Sequence, residues 1–328
     1  MTIRRRPLLL GSTLAAPSLS AFAQPLSSSW RPERPIRAVV PFAPGGLADL
    51  TARLVTEPAA SLLGQPITVE NRTGGAGGLI GTDLVAKAAP DGYTILINSS
   101  AHAIAPALVA RMPYDVATDF IGLAVLSAAP MVLVCHPGVP ARNLGELLLL
   151  LRSNPGRYNF AGAGIGSTVH LTGEVFRAAA QVELPIVHYR GGGPALQAVM
   201  AGEVQLTGVT PAEAMAHIRS GTVRALAVGG PMRSRVLPDV PTATEAGLPG
   251  FRQDIWIVAA APARTPPPIV AALSTAFNES VRRIEPRMTE LGLQGMEGVE
   301  TPKQVDAFIR AELERYAAVL HAAGVQPE

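Results

Sequence analysis

The chain has 328 residues, 48% hydrophobic and 5% aromatic, with 27 lysines and arginines against 25 aspartates and glutamates. Three of those arginines and no acid fall within residues 1–23, so the remainder holds 24 bases against 25 acids and the apparent basicity belongs to the leader. With few aromatics and no Lys/Arg run beyond it, nucleic acid is not an expected partner; the single cysteine, Cys135 in the apolar "MVLVCHP", rules out a disulfide framework and reads as a small core residue.

The leader "MTIRRRPLLLGSTLAAPSLSAFAQ" carries Arg4, Arg5 and Arg6, a short apolar stretch over residues 8–19 and an A-x-A site at Ala21-Phe22-Ala23. That is the pattern of a cleavable export signal, with cleavage expected after Ala23. The apolar stretch is too short to span a membrane, and two prolines with no acid argue against an amphipathic first helix. "RRPLLL" loosely fits a twin-arginine signal, with Leu10 where a lysine is common, so general secretory and twin-arginine export both stay open. No cysteine follows the site to take a lipid. A soluble periplasmic product is expected, of about 305 residues and large enough for two ordinary domains.

Next comes "IRAVVPF", β-branched and apolar as in a buried strand. "APGG" cannot continue it, and "LADLTARLV" then opens a helix reaching Leu63. A glycine turn at a helix start leaves several amides pointing outward, which suits an anion; a plain connecting turn that binds nothing is the alternative. Strand "PITVENR", helix "GLIGTDLVAKAA", strand "DGYTILINSS" and helix "AHAIAPALVARM" follow. "FIGLAVLSAAPMVLVCHPG" reads as two apolar runs separated by "SAAP". A further unit alternates helix "NLGELLLLLRSN", strand "YNFAGAG", helix "TVHLTGEVFRAAA", strand "LPIVHYRG", helix "GPALQAVMAG", strand "VQLTGV", helix "AEAMAHIRSG" and strand "VRALAVGG". After a proline-rich stretch come "RQDIWIVAAAPA" and two closing helices near residues 267–291 and 301–323.

Strands alternating with helices imply an α/β fold with mostly parallel sheets. Two apolar crossovers, "LAVLSAAPMVLV" and "GFRQDIWIVAAAP", suggest two lobes, residues 30–126 plus 253–328 and residues 127–252, with a ligand cleft between them. Hinge closure on the ligand is expected.

Catalytic signals are thin. "TGGAGGLIG" has dinucleotide-like glycines, but the next strand ends in Asn and Ser rather than the acid that would hold a ribose. There is no Walker motif; "GIGSTVH" offers Ser167 and His170 without a nucleophile elbow, and the histidines are too scattered for a metal site. No cofactor, no metal and no enzymatic activity are expected. What recurs is a strand, a small-residue turn and a helix, at "FAPGGLAD", "TGGAGGLIG", "NSSAHAI", "GAGIGSTVH" and "YRGGGPAL". Such turns present amides and small hydroxyls at strand carboxyl ends, where open α/β sheets bind ligands. These turns supply few formal positive charges, with Arg72 and Arg190 the candidates, which favours a small organic anion over a polyphosphate.

"VVPFAPGGLADLTARLV", "ENRTGGAGGLIGTDLVAKAAPDGYTIL", "MPYDVATDF", "GSTVHLTGEVF", "VHYRGGGPALQAVMAGEVQ", "IRSGTVRALAV" and "LPDVPTATEAGLPGF" together resemble the Bug family, the TctC-type solute-binding proteins of tripartite tricarboxylate transport systems. The resemblance runs from about Pro35 to the C-terminus. It implies a two-lobed periplasmic binding protein, a monomer, that captures a small di- or tricarboxylate, acidic amino acid or aromatic carboxylate. Delivery would be to a membrane permease that is dedicated, shared or absent; a sensory subunit serving a membrane kinase is the alternative. In the family the carboxylate is held mainly by backbone amides and waters. Carried over, the site takes Phe42, Ala43, Pro44, Gly45, Gly46 and Asp49 from the first turn, and Ala76 and Gly77 from the second. Ser99, Ser100 and His102 come from the third; Gly166, Ser167, Thr168 and His170 from the fourth; Arg190, Gly191, Gly192 and Ala195 from the fifth; and Thr210 from a sixth.

Departures from the family pattern bear on the ligand. The first motif is usually "PFPPGG", so Ala43 removes a ring, and "NRTGGAGG" is one residue longer than the usual "NRPGAGG". Where many members carry an acid near Val209, this chain has Thr207 and Thr210, so that wall is expected to be neutral. Single residues keep two readings: Asp49 is a helix cap or a ligand contact, Arg190 a rim residue or a partner for a distal carboxylate, and His102 and His170 structural groups or contacts. Trp256 reads as hinge or core packing, and residues 147–151 as core.

Overall fold

A computed structural model describes residues 30–327 apart from positions 231, 297 and 323; the export signal expected at residues 1–23 lies outside the described residues. In chain order, β1 (Ile36–Val40), α1 (Leu47–Leu63), β2 (Ile67–Asn71), α2 (Leu79–Ala86), β3 (Thr94–Ser99), α3 (Ala101–Leu108) and β4 (Phe120–Pro130) come first. Then follow β5 (Val132–Cys135), α4 (Leu144–Ser153), β6 (Phe160–Gly162), α5 (Thr168–Ala180), β7 (Ile186–His188), α6 (Gly192–Met200), β8 (Leu206–Val209), α7 (Pro211–Arg219) and β9 (Arg224–Val228). Strand β10 (Asp254–Pro262) and helices α8 (Pro267–Glu290) and α9 (Pro302–Ala322) complete the chain.

The strands form two five-stranded sheets, ordered β2-β1-β3-β10-β4 and β7-β6-β8-β5-β9. In each, four strands run one way and the fourth in order, β10 or β5, opposes its two neighbours. The sheets are thus mostly parallel, with one reversed strand in each because that strand arrives from the other sheet. Successive residues of β1 serve opposite faces, as strand geometry requires. Ile36, Ala38 and Val40 pack with Leu47, Val55, Leu273 and Phe277 of α1 and α8, while Val39 joins Ile104 of α3 and Val305 of α9. Helices on both faces are why the strand reads as an apolar run rather than an alternation.

The break between β4 and β5 falls at Met131, not at "SAAP" as the sequence suggested. Ser127, Ala128, Ala129 and Pro130 stay paired with β10, opposite Ile257, Trp256, Ile255 and Asp254. Strand β4 lies at the sheet edge, where the N–H that Pro130 lacks costs no ladder bond. The chain leaves the first sheet at Met131 and re-enters it after Gln253. These crossings are stitched side by side: the Met131 amide donates to the Gln253 carbonyl (2.9 Å), the Gly229 amide to the Met131 carbonyl (2.7 Å) and the Gln253 amide to the Gly229 carbonyl (3.0 Å).

Core packing separates three residues expected to be inside. Cys135 is buried, and burial pushes its thiol up to about 11. Trp256 is buried and donates its Nε1 hydrogen to Glu312 (2.9 Å) beside the second crossing. Leu149 differs from the expectation: it is 67% exposed while Leu147, Leu148 and Leu151 are buried, because the helical period turns it away from the sheet.

Candidate ligand-binding site

In the first sheet β2, β1 and β3 are parallel neighbours, so the turns leaving their carboxyl ends lie side by side. Contact between them explains the glycine-rich "TGGAGGLIG": a Cβ on Gly81 would stand 2.6 Å from the Arg72 carbonyl oxygen and 2.9 Å from Pro41 Cβ. These glycines let one loop lie on another rather than cradle a nucleotide. In the second sheet β7, β6 and β8 are likewise parallel and gather the starts of α6, α5 and α7. There the rings of His170 and His188 meet edge to face at 4.5 Å, and Glu213 Oε1 lies 3.5 Å from where a Cβ on Gly192 would stand.

The two groups of turns touch. The Gly77 amide donates to the Ile165 carbonyl at 2.9 Å, and the hydroxyls of Ser100 and Thr168 lie 2.7 Å apart. The structure therefore brings the second, third and fourth candidate turns into one seam.

How each helix begins decides which donors remain open. Ser167 caps α5 by accepting the His170 amide, and Thr210 and Glu213 form a reciprocal capping box on α7. Helices α1, α2, α3 and α6 begin at Gly46, Gly78, Ser100 and Gly191 with no side-chain cap. The first amides of α1 and α6 consequently find no acceptor among the described residues. Ala43, Pro44 and Gly45, just ahead of α1, are exposed, with Phe42 and Gly46 half-buried. Gly45 has φ +87° and Gly191 φ +145°, a region that favours glycine, so both turns demand it.

Several candidates turn inward. Asp49 is buried and accepts the Gly45 amide (3.0 Å), two Arg53 nitrogens (3.0 and 2.9 Å) and Asn71 Nδ2 (3.0 Å). Burial opposes its charge, but those hydrogen bonds outweigh burial and hold the carboxyl below its ordinary value. It sets the shape of the first turn and takes up the Gly45 donor. His102 is fully buried, edge-on to Phe120 at 4.9 Å, with neither ring nitrogen bonded among the described residues. Burial pulls its pKa down to about 4, so the ring is neutral. Ser99 Oγ lies 3.3 Å from the Ala101 amide, and His170 Nε2 faces Glu174 at 3.5 Å. Ala195 is buried among apolar residues of the second sheet and its helices. Arg190 is exposed, and Arg72 pairs with Glu70.

One expectation is corrected: the wall at Thr207 and Thr210 is not neutral. The Thr210 amide and hydroxyl both donate to Glu213 Oε2, at 3.0 and 2.9 Å, placing a carboxylate there. Its signal was in the sequence, since "TPAE" has the S/T-x-x-E spacing of a capping box. Thr207 instead donates to the Ala161 carbonyl (2.7 Å). Among the described residues no three His, Cys, Asp or Glu side chains gather as a metal site.

Two sheets crossed twice, with donor-rich helix starts meeting at their carboxyl ends, are the architecture of a periplasmic binding protein fold. The chain belongs to the tripartite tricarboxylate transporter family receptor group (TctC), whose family model matches residues 51–325. It is similar to the periplasmic binding protein BugD: 34% identity, TM-score 0.85, covering 90% of this chain and 100% of that one. It is similar also to MatC from Rhodopseudomonas palustris with bound malate (36% identity, TM-score 0.82, 88% and 99% covered). The Rpa4515 structure from R. palustris with adipate gives 32% identity and TM-score 0.85, with 90% and 99% covered.

Proposed function

We propose that this protein is exported through cleavage after Ala23 and captures a small organic carboxylate between two lobes, residues 30–126 plus 253–328 and residues 127–252. As a monomer it delivers that ligand to a membrane permease of the tripartite tricarboxylate type. The observation that carries this reading is the uncapped start of α1 at the carboxyl end of β1: the Leu47, Ala48 and Asp49 amides find no acceptor among the described residues, whereas a side-chain cap takes up one first-turn amide in each of α5 and α7. Open first-turn amides with the positive end of a helix dipole suit a carboxylate. Bound malate and adipate in the two Rhodopseudomonas relatives support the same ligand class. Glu213, on the second-lobe wall, disfavours a second carboxylate beside it and favours a hydroxyl or ammonium there.

A thermal-shift screen of the mature protein against mono-, di- and tricarboxylates, amino acids and aromatic acids tests this. A ligand present at 100 times its Kd stabilises the fold by about 2.7 kcal/mol, so a clear shift with a carboxylate is expected. Stabilisation by neutral solutes alone would overturn the reading.

A further inference from the structure

The seam between the two groups of turns has a property that anion binding does not require. Ser100 stands at the N-cap position of α3, yet its backbone is helical (φ −52°, ψ −15°) and its side chain caps nothing. Its hydroxyl instead reaches Thr168 Oγ1 at 2.7 Å, 68 positions along the chain. Thr168 is free to receive it because the preceding residue, Ser167, does the capping of α5. Both side chains are buried, at 0% and 3% exposure. Alongside, the Gly77 amide donates to the Ile165 carbonyl, and a Cβ on Gly77 would stand 3.1 Å from the Gly166 carbonyl oxygen, so backbone meets backbone there. The crossings at Met131, Gly229 and Gln253 provide a separate set of connections between the sheets.

We infer that Ser100 and Thr168, which the family resemblance implies as ligand contacts, instead spend their hydroxyls on each other as a latch that holds the lobes closed. Two hydroxyls each able to donate and accept satisfy one another across the seam when the lobes meet. When the lobes part, water takes both, so the latch biases closure rather than fixing it. The bias is independent of what is bound: it raises affinity for every ligand by the same factor, because the binding-competent population is larger before ligand arrives. A single net hydrogen bond supports a change of about fivefold in the open-to-closed ratio. The inference rests on the two-lobe reading proposed above, but not on the carboxylate.

Small-angle scattering of ligand-free protein tests it without naming a ligand, so its outcome is separate from that of the carboxylate screen. Replacing both partners by apolar groups of similar shape is close to neutral for stability, so the Ser100→Ala, Thr168→Val double variant keeps the wild-type Tm. The expected result is a larger radius of gyration for that variant than for wild type, with Ser100→Thr, which retains a hydroxyl, remaining compact. Equal radii for wild type and the double variant would overturn the latch. So would a Ser100→Thr protein as expanded as the double variant.

Discussion

The Asp49 carboxylate accepts the amide hydrogen of Gly45 at 3.0 Å, so the turn ahead of α1 is held by an acid from the helix it introduces. Arg53 and Asn71 hold the same carboxylate from two sides, and Asn71 also donates to the Phe42 carbonyl (3.0 Å). A group with this many donors has no need of a ligand ammonium.

Asp49→Asn is therefore expected to weaken every ligand alike rather than amino acids selectively. Asparagine can still accept from Gly45 but loses the charge that Arg53 pairs with. Since Arg53 is half exposed, solvent screening keeps the stability cost to about 1 kcal/mol. Folding lowers the Asp49 pKa, so its contribution is full above the unfolded value near 4 and is lost as pH falls through the lower folded value. Titration calorimetry with a dicarboxylate and its amino-acid analogue checks the first point; an amino-acid-selective loss would place Asp49 against an ammonium.

His102 gives a pH dependence of the same sign in a different window. Folding lowers its pKa from 6.5 to about 4 by burial. Between those values the unfolded chain binds a proton that the folded chain refuses, so acidification costs about 1.4 kcal/mol per pH unit across the window. His102→Leu, a near-volume match beside Phe120, should flatten that limb in urea titrations at pH 4.5, 5.5 and 7. An unchanged slope would mean the ring is protonated in the folded state.

The paired crossings make a sharper steric demand. A Cβ on Gly229 would stand 2.7 Å from the Gln253 carbonyl oxygen and 3.0 Å from its nitrogen, both backbone atoms. Gly229→Ala must push the crossing strands apart and break bonds that join Met131, Gly229 and Gln253. A loss of about 1–3 kcal/mol is expected, the usual cost of overpacking, seen as a lower Tm in calorimetry with or without ligand. A wild-type Tm would show that the crossings move freely.

What was legible in the sequence was local. Helix α1 begins and ends at Gly46 and Gly64, the latter left-handed (φ +77°), and its bounds could be read from those glycines. The strand–turn–helix units were readable for the same reason. The β4–β5 break was misplaced because Ser127 and the alanines after it look like a turn until β10 pairs with them. Glu213 was overlooked although "TPAE" spelled out its role. The Ser100–Thr168 contact was beyond reach, because no local pattern says that two turns 68 residues apart will meet.

The site itself turns on whether backbone or side chain holds the ligand, and two residues separate the cases. Gly46 has φ −79° and ψ 170°, which any residue can adopt, and a Cβ there meets only the Ala43 carbonyl oxygen, at 3.8 Å. The backbone there admits a Cβ, although valine is a poorer N-cap than glycine and costs about 1 kcal/mol of stability for that reason, so a loss of affinity beyond this reports on the ligand. Valine would stand beside the open first turn of α1 and keep an anion from its amides. Hydrogen bonds to a charged group contribute about 1.5–3 kcal/mol net, so Gly46→Val should cost roughly ten- to a hundredfold in Kd with only a small drop in Tm. Arg190 is exposed, where an ion pair contributes about 0–1 kcal/mol, so Arg190→Ala should cost fivefold at most. Titration calorimetry with the carboxylate found in the thermal screen compares them directly. Should Arg190→Ala abolish binding while Gly46→Val leaves it intact, a side-chain ion pair holds the ligand and the amide reading fails.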